Sequence, residues 1–271
     1  MSEQKNLKKF IDDYGNYLTS SFEDLWSRIT IEPDKLEAYS VIGALLSRQV
    51  TLALEMANAP SVLNAHSAPL FLRAMVDVHI MTSWILLDIE GRSKKYIAHG
   101  LSEEKLLVEH YKEAIKDSPD SSYNDSFQQI IEMKSNWIDS QIANWAIEVN
   151  LGEWAVDKRK MSQETNCESM YKFAYRPLSS VAHSMWPHVS TCNSRNCKNP
   201  LHQFHLIPIL RKAPANLGFL WWSCRYVDEL YKAFVDKFEI EMKHPMPLDW
   251  WDEYLKKNNF ENSQEEETEE E

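Results

Sequence analysis

Arg73 and Asp77 sit four residues apart in the most apolar long stretch of the chain, Ala68 to Leu87. On a helix that spacing puts both side chains on one face, a turn from each other. A charge in such surroundings requires a partner, and two roles compete for the pair. The groups can simply satisfy one another, or Asp77 can hold the guanidinium fork so that it aims at a carboxylate, a phosphate or a histidine. About a hundred residues later, Tyr175, Ser179 and His183 follow at intervals of four, with Pro177 interrupting the stripe near Tyr175. A hydroxyl one turn from an imidazole can hydrogen-bond it and fix its tautomer. The plainer account is a serine capping near Pro177 and a core histidine. Arg73, Asp77 and His183 are thus the candidate catalytic group, and Tyr175 and Ser179 the candidate ligand-binding group, if their two helices meet.

The segments "FLRAMVDVHIMTSWILLD" and "YKFAYRPLSSVAHSMWPH" together resemble the bacterial domain-of-unknown-function family 5677. Its first helix typically carries Arg with Glu four residues later, and its second carries Tyr, Ser and His at intervals of four. The matching positions here are Arg73, Asp77, Tyr175, Ser179 and His183. Asp77 departs from the family's usual Glu, which shortens the reach of the acid. The resemblance covers roughly residues 35–240 and lends no settled activity.

A second chemistry is that of the HEPN superfamily of helical ribonucleases, whose site is an arginine and a histidine with four to six residues between them. The chain offers Arg73 with His79, Arg92 with His99, Arg176 with His183, and Arg195 with His202. The pattern is loose enough that chance placement supplies about one such pair. The usual polar residue after the arginine occurs only as Ser93 and Asn196, in segments expected to be largely irregular. In such a site the histidine would assist attack by a ribose 2′-hydroxyl, and the arginine would stabilise the phosphorane, without a metal.

Cys192, Cys197, His202 and His205 are chemically competent zinc ligands, with His188 close by. Their intervals of five, five and three do not match a standard finger or ribbon, and the plainer account is a polar loop with scattered thiols and imidazoles. No Walker or dinucleotide fingerprint is present. With only six glycines, the chain has few positions for a phosphate-cradling loop, and no cofactor is expected.

The elements that must position these residues are helical. Apolar residues recur at intervals of three and four from Leu7 to Ile29 and from Pro33 to Met56. A third helix over 61–89 is apolar around most of its circumference, which places it at the centre of a bundle. Gly91 and Gly100 bracket an expected connection, and a helix follows from Ser102 to Lys116. Further helices are expected at 127–134 and 137–149, with a loop from Gly152 to Glu164. A helix from Cys167 should kink or restart at Pro177. Residues 188–207 show no period, and helices resume from Pro214 and over Leu248–Leu255. The predicted fold is an all-α bundle of about seven to nine helices. It comprises an N-terminal helix (1–32), one main domain (33–242), a short helical segment (243–260) and a disordered acidic tail (261–271).

The net charge of −12 owes half its size to six glutamates in Glu265–Glu271. An acidic body lacks the basic stripe of a nucleic-acid binder, and short runs such as Lys158, Arg159 and Lys160 suit a solvated face. Four cysteines and no apolar leader after Met1 suit a reducing cytoplasm. Arg73, Asp77 and His79 would be costly in a bilayer, so no membrane is expected. The expected function is recognition of a small anionic ligand or a protein segment. The alternatives are a metal-independent, HEPN-like ribonuclease or toxin-like effector acting on RNA, and a structural module that forms a homodimer.

Overall fold

The computed structural model describes residues 2–119, 122–145 and 157–258, with side chains from residue 6. The expected acidic tail and residues 152–156 of the expected 152–164 loop lie outside the described residues, and Lys158–Glu164 of that loop is helical instead. The chain is 75% helical and all-α, with more helices than expected because the stretch from Lys158 to Cys192 divides into short segments. Its described residues form two compact units, one drawn from residues 1–30, 43–83 and 158–271, the other from residues 31–42 and 84–157.

The larger unit contains α1 (Ser2–Ser27), most of α2 (Leu36–Asn58) and most of α3 (Ala68–Leu86). Later in the chain follow α6 (Lys158–Glu164), α7 (Glu168–Met170), α8 (Arg176–Ala182), α9 (Trp186–Cys192), α10 (Gly218–Phe238) and α11 (Pro247–Lys257). The three-and-four spacing of α1 and α10 buries Tyr14, Leu18, Leu25, Leu220, Cys224, Val227, Tyr231 and Phe234. Phe10 and Tyr14 pack edge-on against Trp251 of α11, with ring centroids at 4.8 and 5.5 Å, and Tyr17 stacks on Trp250 at 4.7 Å. Asp228, almost fully buried on α10, accepts the Leu248 N–H in the first turn of α11 at 3.1 Å, where a carboxylate also complements the helix dipole. At Gly43 an added Cβ would lie 2.6 Å from the Trp26 ring, so only glycine allows that close approach of α2 to α1.

Helix α3 starts at Ala68, later than the expected 61. Asn64 turns the chain there, its Oδ1 accepting the N–H groups of His66 and Ser67 at 2.9 and 3.1 Å. The segment 188–207, expected to be irregular, instead holds most of α9 and a short antiparallel hairpin of β1 (Ser194–Asn196) and β2 (Leu206–Pro208). Three-residue strands are too short to show alternation.

The smaller unit is built on α4 (Ile89–Asp117) and α5 (Asn124–Trp145). Leu101, Val108, Ile131 and Ile138 form its core, flanked by Ile97, Tyr111, Ile115 and Ile142. The expected connection between Gly91 and Gly100 is part of α4. Asp88 caps that helix by accepting the Gly91 N–H at 3.0 Å, and a glycine within a long helix costs only about 1 kcal/mol.

Candidate functional site

The Arg73 guanidinium is held on three sides. Its Nε donates to Ser179 Oγ at 2.6 Å, its Nη1 donates to Asp77 Oδ2, and its plane lies 3.4 Å from the centre of the Tyr175 ring. Ser179 in turn donates to the Tyr175 carbonyl at 2.7 Å. The two sequence groups therefore meet through Arg73, Asp77, Tyr175 and Ser179. The arginine side chain retains 13% of its exposure and the aspartate 35%, so the cluster is half-buried, at the edge of the core.

Lys158, at the start of α6, completes the cluster. Its Nζ lies 3.4 Å from both Asp77 Oδ1 and the Asp77 carbonyl oxygen. Burial pushes the lysine pKa below its usual value, the Arg73 charge adds to that, and Asp77 opposes both. Two cations thus share one carboxylate. The sequence alone suggests a solvated face for Lys158, since a contact across 81 residues leaves no trace in spacing.

Tyr175 and Ser179 face Arg73 together because of the backbone before Pro177. Proline has no N–H, and its ring would clash with the carbonyl four residues earlier. The chain answers with a π-helical turn, Tyr171–Tyr175, in which the Arg176 N–H reaches back five residues to the Tyr171 carbonyl. This is the restart expected at Pro177. The wide turn also stacks Tyr171 on Tyr175, with centroids 4.9 Å apart.

His183 stands apart. Helix α8 ends at Ala182, and the His183 N–H closes it on the Ser179 carbonyl at 2.9 Å. Ser184 then adopts a left-handed φ of 50° and turns the chain away. The His183 imidazole is exposed, and among the described residues it makes no hydrogen bond to Arg73, Asp77 or Ser179. A continuous stripe from Tyr175 to His183 would have required one more turn of helix.

Beside the cluster, α6, α7, the π turn and α8 enclose a cleft of about 500 Å³ lined by Arg159, Ser162, Gln163, Glu168, Tyr171, Lys172 and Arg176. Arg159, Lys172 and Arg176 have no ion-pair partner among the described residues. Tyr171 joins the cleft to the cluster, since its ring stacks on the tyrosine that supports Arg73. The sequence shows Arg159 in a short basic run and Arg176 in a pair with His183, but no spacing joins them to Tyr171 and Lys172, because the lining comes from four short segments.

The arginine–histidine pairs are placed differently from one another. His79 is buried, and burial lowers its pKa to about 4. Arg92 and His99 both lie in helical α4, a correction to the irregular segment expected there. Arg92 stacks 4.3 Å from the Trp84 ring and donates to the Trp84 carbonyl at 2.7 Å. Arg195 lies in β1 and His202 in the hairpin loop.

The candidate zinc ligands divide into two groups. Cys192 lies with His66 and His188, and Cys197 lies with His202 and His205. All four cysteines, Cys167, Cys192, Cys197 and Cys224, are free thiols.

Comparison with known proteins places a family model on this chain. The model of a family of unknown function, DUF5677, matches residues 39–198, more than half of the chain. No curated protein and no solved structure matches it.

Proposed function

We propose that this chain, which belongs to the DUF5677 family, binds a small anionic group, a carboxylate or a phosphate, in the cleft lined by Arg159, Lys172 and Arg176. The observation that carries this reading is a local reversal of charge. In a protein of net charge −12, three cations without ion-pair partners line a cleft whose one carboxylate is Glu168. All three are exposed, so solvent screens part of their mutual repulsion, and a bound anion would offset what remains. Ser162, Gln163 and Tyr171 add hydrogen-bonding groups for orientation.

Arg73 is then a positioning residue. Its Nε and Nη1 are engaged by Ser179 and Asp77, so it fixes Tyr175, and through it the Tyr171 wall of the cleft. No catalytic step is part of this reading. It also places the protein in a reducing aqueous compartment, supported by its free thiols and by the charged residues of α3. That helix is long and apolar enough to span a bilayer, but 56% of it is buried within the protein.

The test is a thermal melt with inorganic phosphate against a sodium chloride control of equal ionic strength. The melting temperature should rise with phosphate, and the rise should shrink markedly in Lys172→Glu and Arg176→Ala. A ligand at a hundred times its Kd stabilises by about 2.7 kcal/mol, well within detection. Equal stabilisation of wild type and both variants, or none at all, refutes the reading.

A second reading, cleavage of RNA, is favoured by one observation. Arg92 and His99 are seven residues apart on a continuous helix, hence on one face, and Ser93 supplies the polar residue after the arginine. Against it, Arg92 already caps the end of α3 at Trp84. Chelator-resistant cleavage that disappears in His99→Ala would decide for it.

A further inference from the structure

His66 and Cys192 are separated by 126 positions in the sequence, yet their side chains meet with that of His188. One ring nitrogen from each histidine and the thiol sulfur all lie within 4.8 Å of one another, and the rings meet edge to face at 5.6 Å. Each arm is separately held. His188 and Cys192, four residues apart on α9, share one face of that helix. His66 is carried by the Asn64 turn, whose side chain also donates to the Ser61 carbonyl at 2.7 Å. The turn is anchored in the core by the fully buried Leu63, whose carbonyl accepts the Asn216 N–H at 2.7 Å.

Two imidazoles and a thiol form a poor packing cluster, since none offers much apolar area and the sulfur is a weak hydrogen-bonding group. They are, however, a zinc donor set. Imidazole nitrogen and thiolate sulfur bind Zn²⁺ at about 2.0 and 2.3 Å in a tetrahedron, and three protein ligands leave one position for water or another exogenous ligand. The softness of the thiolate argues against Mg²⁺ or Ca²⁺, which take oxygen ligands. All three residues are half-buried, so an ion there would be reachable from solvent.

The second group, Cys197, His202 and His205, is a weaker candidate. Its three members occupy nine consecutive positions, and the hairpin alone brings them together through the Cys197 N–H to His205 carbonyl bond at 2.8 Å. Both of its histidines are exposed. Nothing local forces His66 onto α9.

We infer that His66, His188 and Cys192 form a zinc-binding site with an open fourth position, separate from the anion cleft. Binding converts the Cys192 thiol to a thiolate and releases its proton to solvent, while both imidazoles bind in their neutral forms. Affinity therefore rises with pH until the ligands are deprotonated.

The experiment titrates chelator-treated full-length chain with Co²⁺, which takes the place of Zn²⁺ and reports thiolate ligation as a charge-transfer band in the near ultraviolet. Wild type should develop the band, and Zn²⁺ should abolish it by displacement. The band should be absent in Cys192→Ser and present in Cys197→Ser, and His66→Gln should weaken metal binding at least tenfold. Far-ultraviolet circular dichroism of each metal-free variant against metal-free wild type separates lost ligands from lost fold. His188→Gln gives an independent ligand deletion should Cys192→Ser unfold. Absence of the band in folded wild type overturns the site. So does a band that survives Cys192→Ser but is lost in Cys197→Ser, which would move the ion to the hairpin.

Discussion

At the residue scale, Arg73 shows how a buried charge is made tolerable. Its Nε, its Nη1 and the face of its guanidinium each meet a different partner: a hydroxyl, a carboxylate and an aromatic ring. Arg73→Ala should cost about 1–3 kcal/mol in urea unfolding, since it takes the donor away from Ser179 Oγ and leaves Asp77 with Lys158 alone. Ser179→Ala should cost about 1 kcal/mol by orphaning Nε. Arg73→Lys can restore the ion pair, but not the Nε bond or the planar stacking, and should recover only part of the loss. His79, on the same helix, titrates instead. Burial lowers its pKa from about 6.5 to about 4, so between those values the unfolded chain takes up a proton that the folded chain refuses. Stability should fall as pH drops through that window, by about 3 kcal/mol at pH 4 from this residue alone. Urea midpoints of wild type and His79→Leu should converge in slope above pH 7, and the variant should show the shallower acid loss. Parallel acid profiles would mean that the imidazole becomes solvated before the protein unfolds.

At the element scale, the π turn before Pro177 sets which side chains face Arg73 and the cleft. Pro177→Ala removes the clash that requires a wide turn. Reversion to an α turn would shift the preceding residues by one position, rotating Tyr171 by about 100° around the axis. The variant should match or exceed wild type in melting temperature, yet bind inorganic phosphate roughly three- to tenfold more weakly by calorimetry. Unchanged affinity would show that the cleft does not depend on the Tyr171 register. The same elements show what the sequence made legible. Intervals of three and four marked α1, α2 and α10, because each buries one long apolar stripe against the core. The four-residue spacings of Arg73 with Asp77 and Tyr175 with Ser179 were likewise visible, since a helix converts such spacing directly into proximity. Lys158, the partners of Tyr171 in the cleft and the approach of His66 to α9 were not, because each joins segments whose separation leaves no periodic trace. His183 was misleading for a local reason: the left-handed Ser184 ends α8 before the next turn can bring that imidazole round.

At the scale of the whole molecule, the proposed cleft works against the protein's own field. The chain carries −12 overall, half of it in Glu265–Glu271, so the net charge repels an approaching phosphate at long range while Arg159, Lys172 and Arg176 attract it at short range. These two influences have different ranges and can be separated with salt. At about 0.01 M ionic strength the Debye length is about 30 Å, and charges that far from the cleft act on it; at 0.15 M it is about 8 Å, and they scarcely do. A chain ending at Asn258 should therefore bind phosphate more tightly than the full chain at low salt, by about two- to threefold. The two should converge at 0.15 M, where both bind more weakly through screening of the cleft itself. A tail effect of equal size at both salts would mean that the glutamates occupy the cleft as competing anions, because contact within the site is screened far less than a distant field. Either result requires the cleft to be an anion site, whereas phosphate binding insensitive to salt in both chains would remove the charge reversal as its cause.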